Sequence, residues 1–136
     1  LSPSYRTPPA LHKCSCRRDC NGIMTRILLE RKKSGALVSC SAHGHAGYAV
    51  CGSDIVCSAL TVLVRTTMQA LSVIDGIELK TNSIERGSLS FTVRSCLLNE
   101  HAEACLEYAG LFLEQGFDSL KKEFPAYIDL EKRTVL

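Results

Sequence analysis

Residues 44–60, GHAGYAVCGSDIVCSAL, place a histidine and a cysteine at opposite ends of a glycine-rich stretch that runs into an apolar segment. Cys57 follows Asp54 by three residues, at what reads as the start of a helix. A thiol there sees the positive end of the helix dipole and unpaired backbone N–H groups, and both favour the thiolate. The loop has to turn back, so its two ends can meet and bring His45 within hydrogen-bond reach of Cys57. An imidazole titrating near neutrality can take the thiol proton and later donate one to a leaving amine. The free N–H groups of the helix start can hold the oxyanion that forms when a thiolate attacks a carbonyl. Nucleophile, base and oxyanion donors are the minimum for acyl transfer, and Gly44, Gly47 and Gly52 let the loop approach a substrate backbone closely.

Each of these residues also has an ordinary structural reading. A cysteine within an apolar helix more often packs than reacts. Asp54 serves most simply as an N-cap, and its charge would oppose a thiolate it faced, so it is assigned to capping or to orienting His45. His43 reads as a satisfied loop residue after a strand. Cys51 stands open as a second reactive thiol or a disulfide partner of Cys57, whereas Cys40, Cys96 and Cys105 fall on apolar faces and read as structural.

These residues need elements to position them. TRILLERK is apolar and β-compatible, KSG supplies a turn, and ALVSCSA continues with Val38, Cys40 and Ala42 on one face, which makes a hairpin. After the glycine loop, apolar residues recur at helical spacing from Asp54 to Ile74, with Ile55, Ala59, Val62 or Leu63, Ala70 and Ile74 along one side. Apolar around most of its circumference, this reads as a central helix, ended by Asp75 and a left-handed Gly76. IELKT and LSFTV alternate across NSIERGS and form a second hairpin. Asn99 caps a second helix with Ala102, Cys105, Leu106, Ala109, Phe112 and Leu113 on its apolar stripe; Gly116 interrupts it, DSLKKEF adds a short helical stretch and Pro125 stops that. The order β-β-α-β-β-α predicts an α+β two-layer sandwich, a mostly antiparallel four-stranded sheet with two main helices.

The chain has 136 residues, 46% of them hydrophobic, which suits one domain with a single core. Residues 1–23 hold three of the four prolines, four Lys or Arg and a single acid, Asp19, and read as a disordered leader that is not native, with Met24 as the natural start. From Met24 onward twelve basic residues meet thirteen acidic ones, so residues 24–136 lack the basic surplus of a nucleic-acid binder. No run approaches the roughly eighteen apolar residues of a membrane span, and no apolar segment resembles a signal peptide, so a cytoplasmic protein with reduced thiols is expected. The leader's Cys14, Cys16 and Cys20 do not follow a common zinc spacing; neither a metal nor a cofactor is expected.

The paired words GHAGYA and GSDIVCSA resemble the signature of the ribosomal-processing cysteine protease family, Prp, and the similarity extends over residues 24 to about 128, ending near the Pro-x-Tyr of residues 125–127. The resemblance implies a Cys–His protease that removes a short N-terminal extension from large-subunit ribosomal protein twenty-seven and so supports ribosome assembly. It implies Cys57 as nucleophile and His45 as general base, with Gly44 and Asp54 shaping the site. Thr61 stands where many members carry a serine, which keeps a hydroxyl and adds a methyl. It further implies a homodimer, a loop that orders when the ribosomal precursor peptide binds, and neither nucleic acid nor membrane as direct partner. Two other classes remain on the residues alone: a non-catalytic peptide-binding module of ribosome assembly, and a thiol redox protein using Cys51 and Cys57.

Overall fold

The computed structural model describes residues 24–44, 53–82, 88–94 and 99–135. The expectations for the leader 1–23, for His45 and Cys51 and for Cys96 lie outside the described residues. Seven elements follow in order: β1 (Thr25–Lys32), β2 (Leu37–His43), α1 (Ser53–Ser72), β3 (Glu78–Asn82), β4 (Ser88–Arg94), α2 (Glu100–Glu123) and β5 (Ile128–Val135). The strands form one sheet in the order β3-β4-β2-β1-β5.

The two expected hairpins are present, and β2 pairs antiparallel with β4 to join them. The first carries a β-bulge: Glu30 faces Ser39 and Arg31 faces Leu37, so Val38 is the extra residue. The bulge resets the alternation. Cys40 and Ala42 are buried as expected, but Leu37 is the buried residue at the start of the strand and Val38 is only half-buried.

The sheet has five strands, not four. β5 pairs in parallel with β1 along its whole length, from Thr25 opposite Ile128 to Lys32 opposite Val135. IDLEKRTV carries little burial signal, because on this edge strand only Ile128 is fully buried. Its existence depends on backbone pairing with a strand a hundred residues earlier, which local periodicity does not record. A parallel neighbour requires a crossover, and α2, roughly 36 Å long at helical rise, supplies it.

Gly116 does not interrupt α2. The helix runs unbroken through it, and a Cβ there would lie 2.6 Å from Leu63 Cδ2, so the glycine marks close approach to α1. Asn99 caps the helix as expected, its side chain accepting from the Ala102 N–H at 2.8 Å. The buried stripe comprises Ala102, Leu106, Ala109, Gly110, Leu113 and Phe117, while Phe112 points outward and Cys105 is half-buried. At its far end the Lys121 ammonium donates to the carbonyls of Pro125 and Ile128, tying the helix to the start of β5. Glu114, in contact with Arg31 of β1 and Lys132 of β5, ties the middle of α2 to both parallel strands.

α1 is turned relative to expectation. Val56, Leu60, Val64 and Leu71 face the core, while Ile55 and Val62 of the expected stripe are 59% and 65% exposed. The segment Ile55–Ser72, with mean hydropathy 1.4, is long and apolar enough to cross a membrane by length and composition, contrary to the reading of the sequence. Here one face is packed into the core, and the opposite face exposes Ile55 and Val62 among polar residues such as Ser58, Arg65 and Gln69. The turn after α1 contains Gly76 at φ 90°, as expected of a left-handed residue.

The core joins both helices to one face of the sheet, through Ile27 and Leu29 of β1, Cys40 of β2, Phe91 of β4 and Ile128 of β5. Phe117 is fully buried within it. Phe117→Ala is therefore expected to cost about 3–5 kcal/mol of unfolding free energy. Asn99→Ala, which removes only the cap, should cost about 1 kcal/mol. Urea denaturation of the two variants beside the parent protein measures both.

Candidate functional site

α1 begins at Ser53, which places Cys57 at the end of its first turn, half-buried and with a free thiol. Burial of its neighbours Val56 and Leu60 decides which side of the helix faces the core, so the helix presents Cys57 at the edge of the packed face. The helix start also refines the expected chemistry. Amides without an acceptor inside the helix belong to the first turn, upstream of Cys57, whose own N–H lies within the helical ladder. The free N–H groups at this helix start are thus the ones that precede the cysteine.

Thr61 lies one turn further on. Its hydroxyl donates to the Cys57 carbonyl oxygen at 2.7 Å, the back-bonding common for threonine within helices. That bond commits the hydroxyl to the helix backbone. Asp54 is the second residue of α1; its side chain and His45 lie outside the described residues.

Gly44 follows the last residue of β2, immediately before His45. Arg26 of β1 faces His43, so the next position brings Gly44 against Thr25. A Cβ on Gly44 would lie 2.8 Å from Thr25 Oγ1. His43 is exposed, and its Nδ1 hydrogen-bonds Ser88 Oγ at 2.6 Å across the β2–β4 pair; it is satisfied as expected, but as the last residue of β2 and not as a loop residue.

The three cysteines among the described residues have different surroundings. Cys40 is buried, and desolvation pushes its thiol up to about 12, so it stays protonated and unreactive near neutrality. Cys105 is not simply a packing residue. It is half-buried on α2 with its Sγ 3.7 Å from Nε2 of His101, an exposed neighbour one turn earlier. The i, i+4 spacing of the two residues was a legible signal of this contact. Both line a cleft of about 480 Å³ between the helices, with Ala70, Ile74, Tyr108 and Phe112 among its other walls. The residues that α1 contributes to this cleft begin at Thr66, about 14 Å along the helix from Cys57. The cleft is thus separate from the start of α1.

Among the described residues, no group of three or more His, Cys, Asp or Glu is placed to hold a metal ion.

Comparison with known proteins adds to this geometry. The family model of the cysteine protease Prp matches residues 24–129. A search of curated proteins found no match. Among solved structures, SMU.848 from Streptococcus mutans superposes with a TM-score of 0.63 at 27% identity, over 85% of this chain and 98% of its own. The essential ribosomal processing protease Prp from S. aureus, in complex with a substrate peptide, gives a TM-score of 0.63 at 17% identity, over 80% of this chain and 99% of its own. The same S. aureus protease with a covalently linked product peptide gives 0.60 at 18% identity, over the same shares. At these identities the S. aureus structures show a shared fold.

The surroundings of the thiols predict an order of reactivity. Iodoacetamide at pH 8 is expected to alkylate Cys57 and Cys105 in the folded protein while sparing Cys40, and to reach Cys40 only in denaturant; peptide mapping by mass spectrometry reads the sites. The sign of the linkage is set by the raised Cys40 value. Between its ordinary 9.0 and about 12 the unfolded chain loses a proton that the folded chain keeps, so stability is expected to fall as pH rises through that window.

Proposed function

The chain belongs to the family of the cysteine protease Prp, and from that premise we propose that it removes a short N-terminal extension from large-subunit ribosomal protein twenty-seven, using Cys57 as nucleophile and His45 as general base. The observation that carries this reading is the position of Cys57: a free, half-buried thiol at the end of the first turn of α1, inside the matched region and preceded by Gly44-His45 at the family's spacing. The S. aureus protease of the same fold, seen with a substrate peptide and with a covalently linked product peptide, supports an acyl-enzyme route.

In this reading His45 takes the Cys57 proton as sulfur attacks the scissile carbonyl, and first-turn amides of α1 donate to the oxyanion. The tetrahedral intermediate collapses with its C–N bond breaking, and His45 gives the proton to the departing amine. A thioester on Cys57 remains. Water, deprotonated by His45, attacks it; the C–S bond breaks, the thiol is restored and the extension leaves as a carboxylate. Asp54 caps α1 or orients His45, Gly44 gives the loop its close approach, and Thr61 holds the carbonyl of Cys57. The reaction needs no metal or cofactor, and it takes place in the cytoplasm with the ribosomal precursor as partner.

The His101–Cys105 contact supplies the rival nucleophile, and a cleavage assay separates the two. On a peptide spanning the junction, Cys57→Ala and His45→Ala are each expected to lose on the order of 10³-fold or more in kcat/KM. Cys105→Ala should stay within about twofold. Full activity in Cys57→Ala overturns the assignment, and stoichiometric binding without turnover by the reduced parent protein would favour a peptide-binding module instead.

We also propose that the protein acts as a homodimer, with a second copy covering the apolar outer face of α1. Ile55 and Val62 expose large side chains there, on the opposite side of the helix from Val56 and Leu60. Val62→Glu is expected to halve the mass found by sedimentation equilibrium while leaving the circular dichroism spectrum unchanged.

A further inference from the structure

Gly44 precedes His45, yet its backbone does not require a glycine. The glycines with positive φ among the described residues are Gly35 and Gly76, so residue 44 has a conformation open to any amino acid. What excludes a side chain is Thr25. An ideal Cβ on residue 44 would stand 2.8 Å from Thr25 Oγ1, 3.4 Å from its Cγ2 and 3.5 Å from its Cβ. The first distance is shorter than atoms tolerate, the second is tight, and the third is an ordinary contact.

Thr25 is poorly placed to yield. It is 7% exposed, its N–H donates to the Tyr127 carbonyl at 2.8 Å, and it stands opposite fully buried Ile128 of β5. On its other side the β1–β2 register runs from Arg26–His43 to the contact with Gly44. Thr25 is thus clamped between the first residue of β5 and the end of β2.

From this packing we infer that Thr25 is a positioning residue for the reaction: by filling the space beside residue 44, it sets the point from which the chain leaves the sheet toward His45. The inference rests on the reading of His45 as general base. A side chain at 44 would push the backbone off Thr25 one residue before the imidazole, and a displacement of about 1 Å in a catalytic group can cost on the order of 100-fold in rate. Thr25 touches neither substrate nor thiol in this account; it acts through Gly44.

The test is a double-mutant cycle on the full chain, with Thr25→Ala, Gly44→Ala, the two combined, and His45→Ala as reference. Each is assayed with the junction peptide for kcat, KM and the pH dependence of kcat/KM, and each is unfolded in urea so that activity can be expressed per folded molecule. Gly44→Ala is expected to lower kcat about 10- to 100-fold with KM within about threefold, and to displace the pH profile. Combining it with Thr25→Ala removes Oγ1 and Cγ2 and leaves only the Cβ contact at 3.5 Å. The double variant should therefore recover most of the lost kcat and the parent pH profile.

The inference is overturned if Gly44→Ala keeps parental kcat per folded molecule, or if the double variant is no faster than Gly44→Ala while both are folded. An active His45→Ala would instead remove the reading of the base on which it rests. That result is distinct from an inactive His45→Ala accompanied by a failed rescue.

Discussion

Strand β1 is hydrogen-bonded along both edges, antiparallel to β2 and parallel to β5, and this double pairing is the constraint on which the other elements depend. It fixes where β2 ends relative to the start of β5, and so which residues meet where the chain leaves the sheet toward His45. It also requires a crossover long enough to return β5 beside β1, which makes α2 a helix of 24 residues. The ion pairs of Arg31 and Lys132 with Glu114 join the same three elements at one point. They lie partly exposed and contribute geometry more than stability. The sheet supplies the stability through the buried Ile27, Leu29 and Ile128.

The helices answer to this sheet and to each other. Gly116 leaves room for the Leu63 side chain of α1, which would have to shift for any larger residue there. Once Val56, Leu60, Val64 and Leu71 are turned inward, Ile55 and Val62 must point outward, because a straight helix cannot bury residues on opposite sides against one layer. Two large apolar side chains left in water on one side of a helix are the physical motive for the proposed second copy. The same rotation sets Cys57 between the packed face and the solvent.

Thiol chemistry in this protein is sorted by environment. Cys40 sits on the inner face of β2 and is held as a neutral hydrophobe by desolvation. Cys105 contacts an imidazole, yet it does so on the side of a helix, beside an apolar cleft, one residue deeper into its helix than Cys57 and behind a first turn whose Ala102 N–H is already taken by the Asn99 side chain. Cys57 has no such contact among the described residues, but it stands next to the first-turn amides of α1. A Cys–His contact alone is therefore a poor guide to a nucleophile.

Much of this was legible in the residues. The two hairpins, both helices, the Asn99 cap and the turn at Gly76 follow from local periodicity and capping chemistry, which act over a few neighbouring residues. The candidate pair His45 and Cys57 was legible as residue types at a spacing, and the family likeness of GHAGYA and GSDIVCSA ranked that pair above a packing cysteine. Only the tertiary structure decided that IDLEKRTV is a strand, that Val38 is a bulge, that α2 passes through Gly116 and that α1 turns Ile55 outward. Each of these depends on a partner far away in the chain: a backbone to pair with, or a side chain to make room for. The same holds for Gly44, which reads in the sequence as close approach to a substrate backbone and in the structure as the absence of a side chain beside Thr25. Local chemistry determined which groups could react, and non-local contact determined where they stand, because strand pairing and close packing join residues that sequence distance keeps apart.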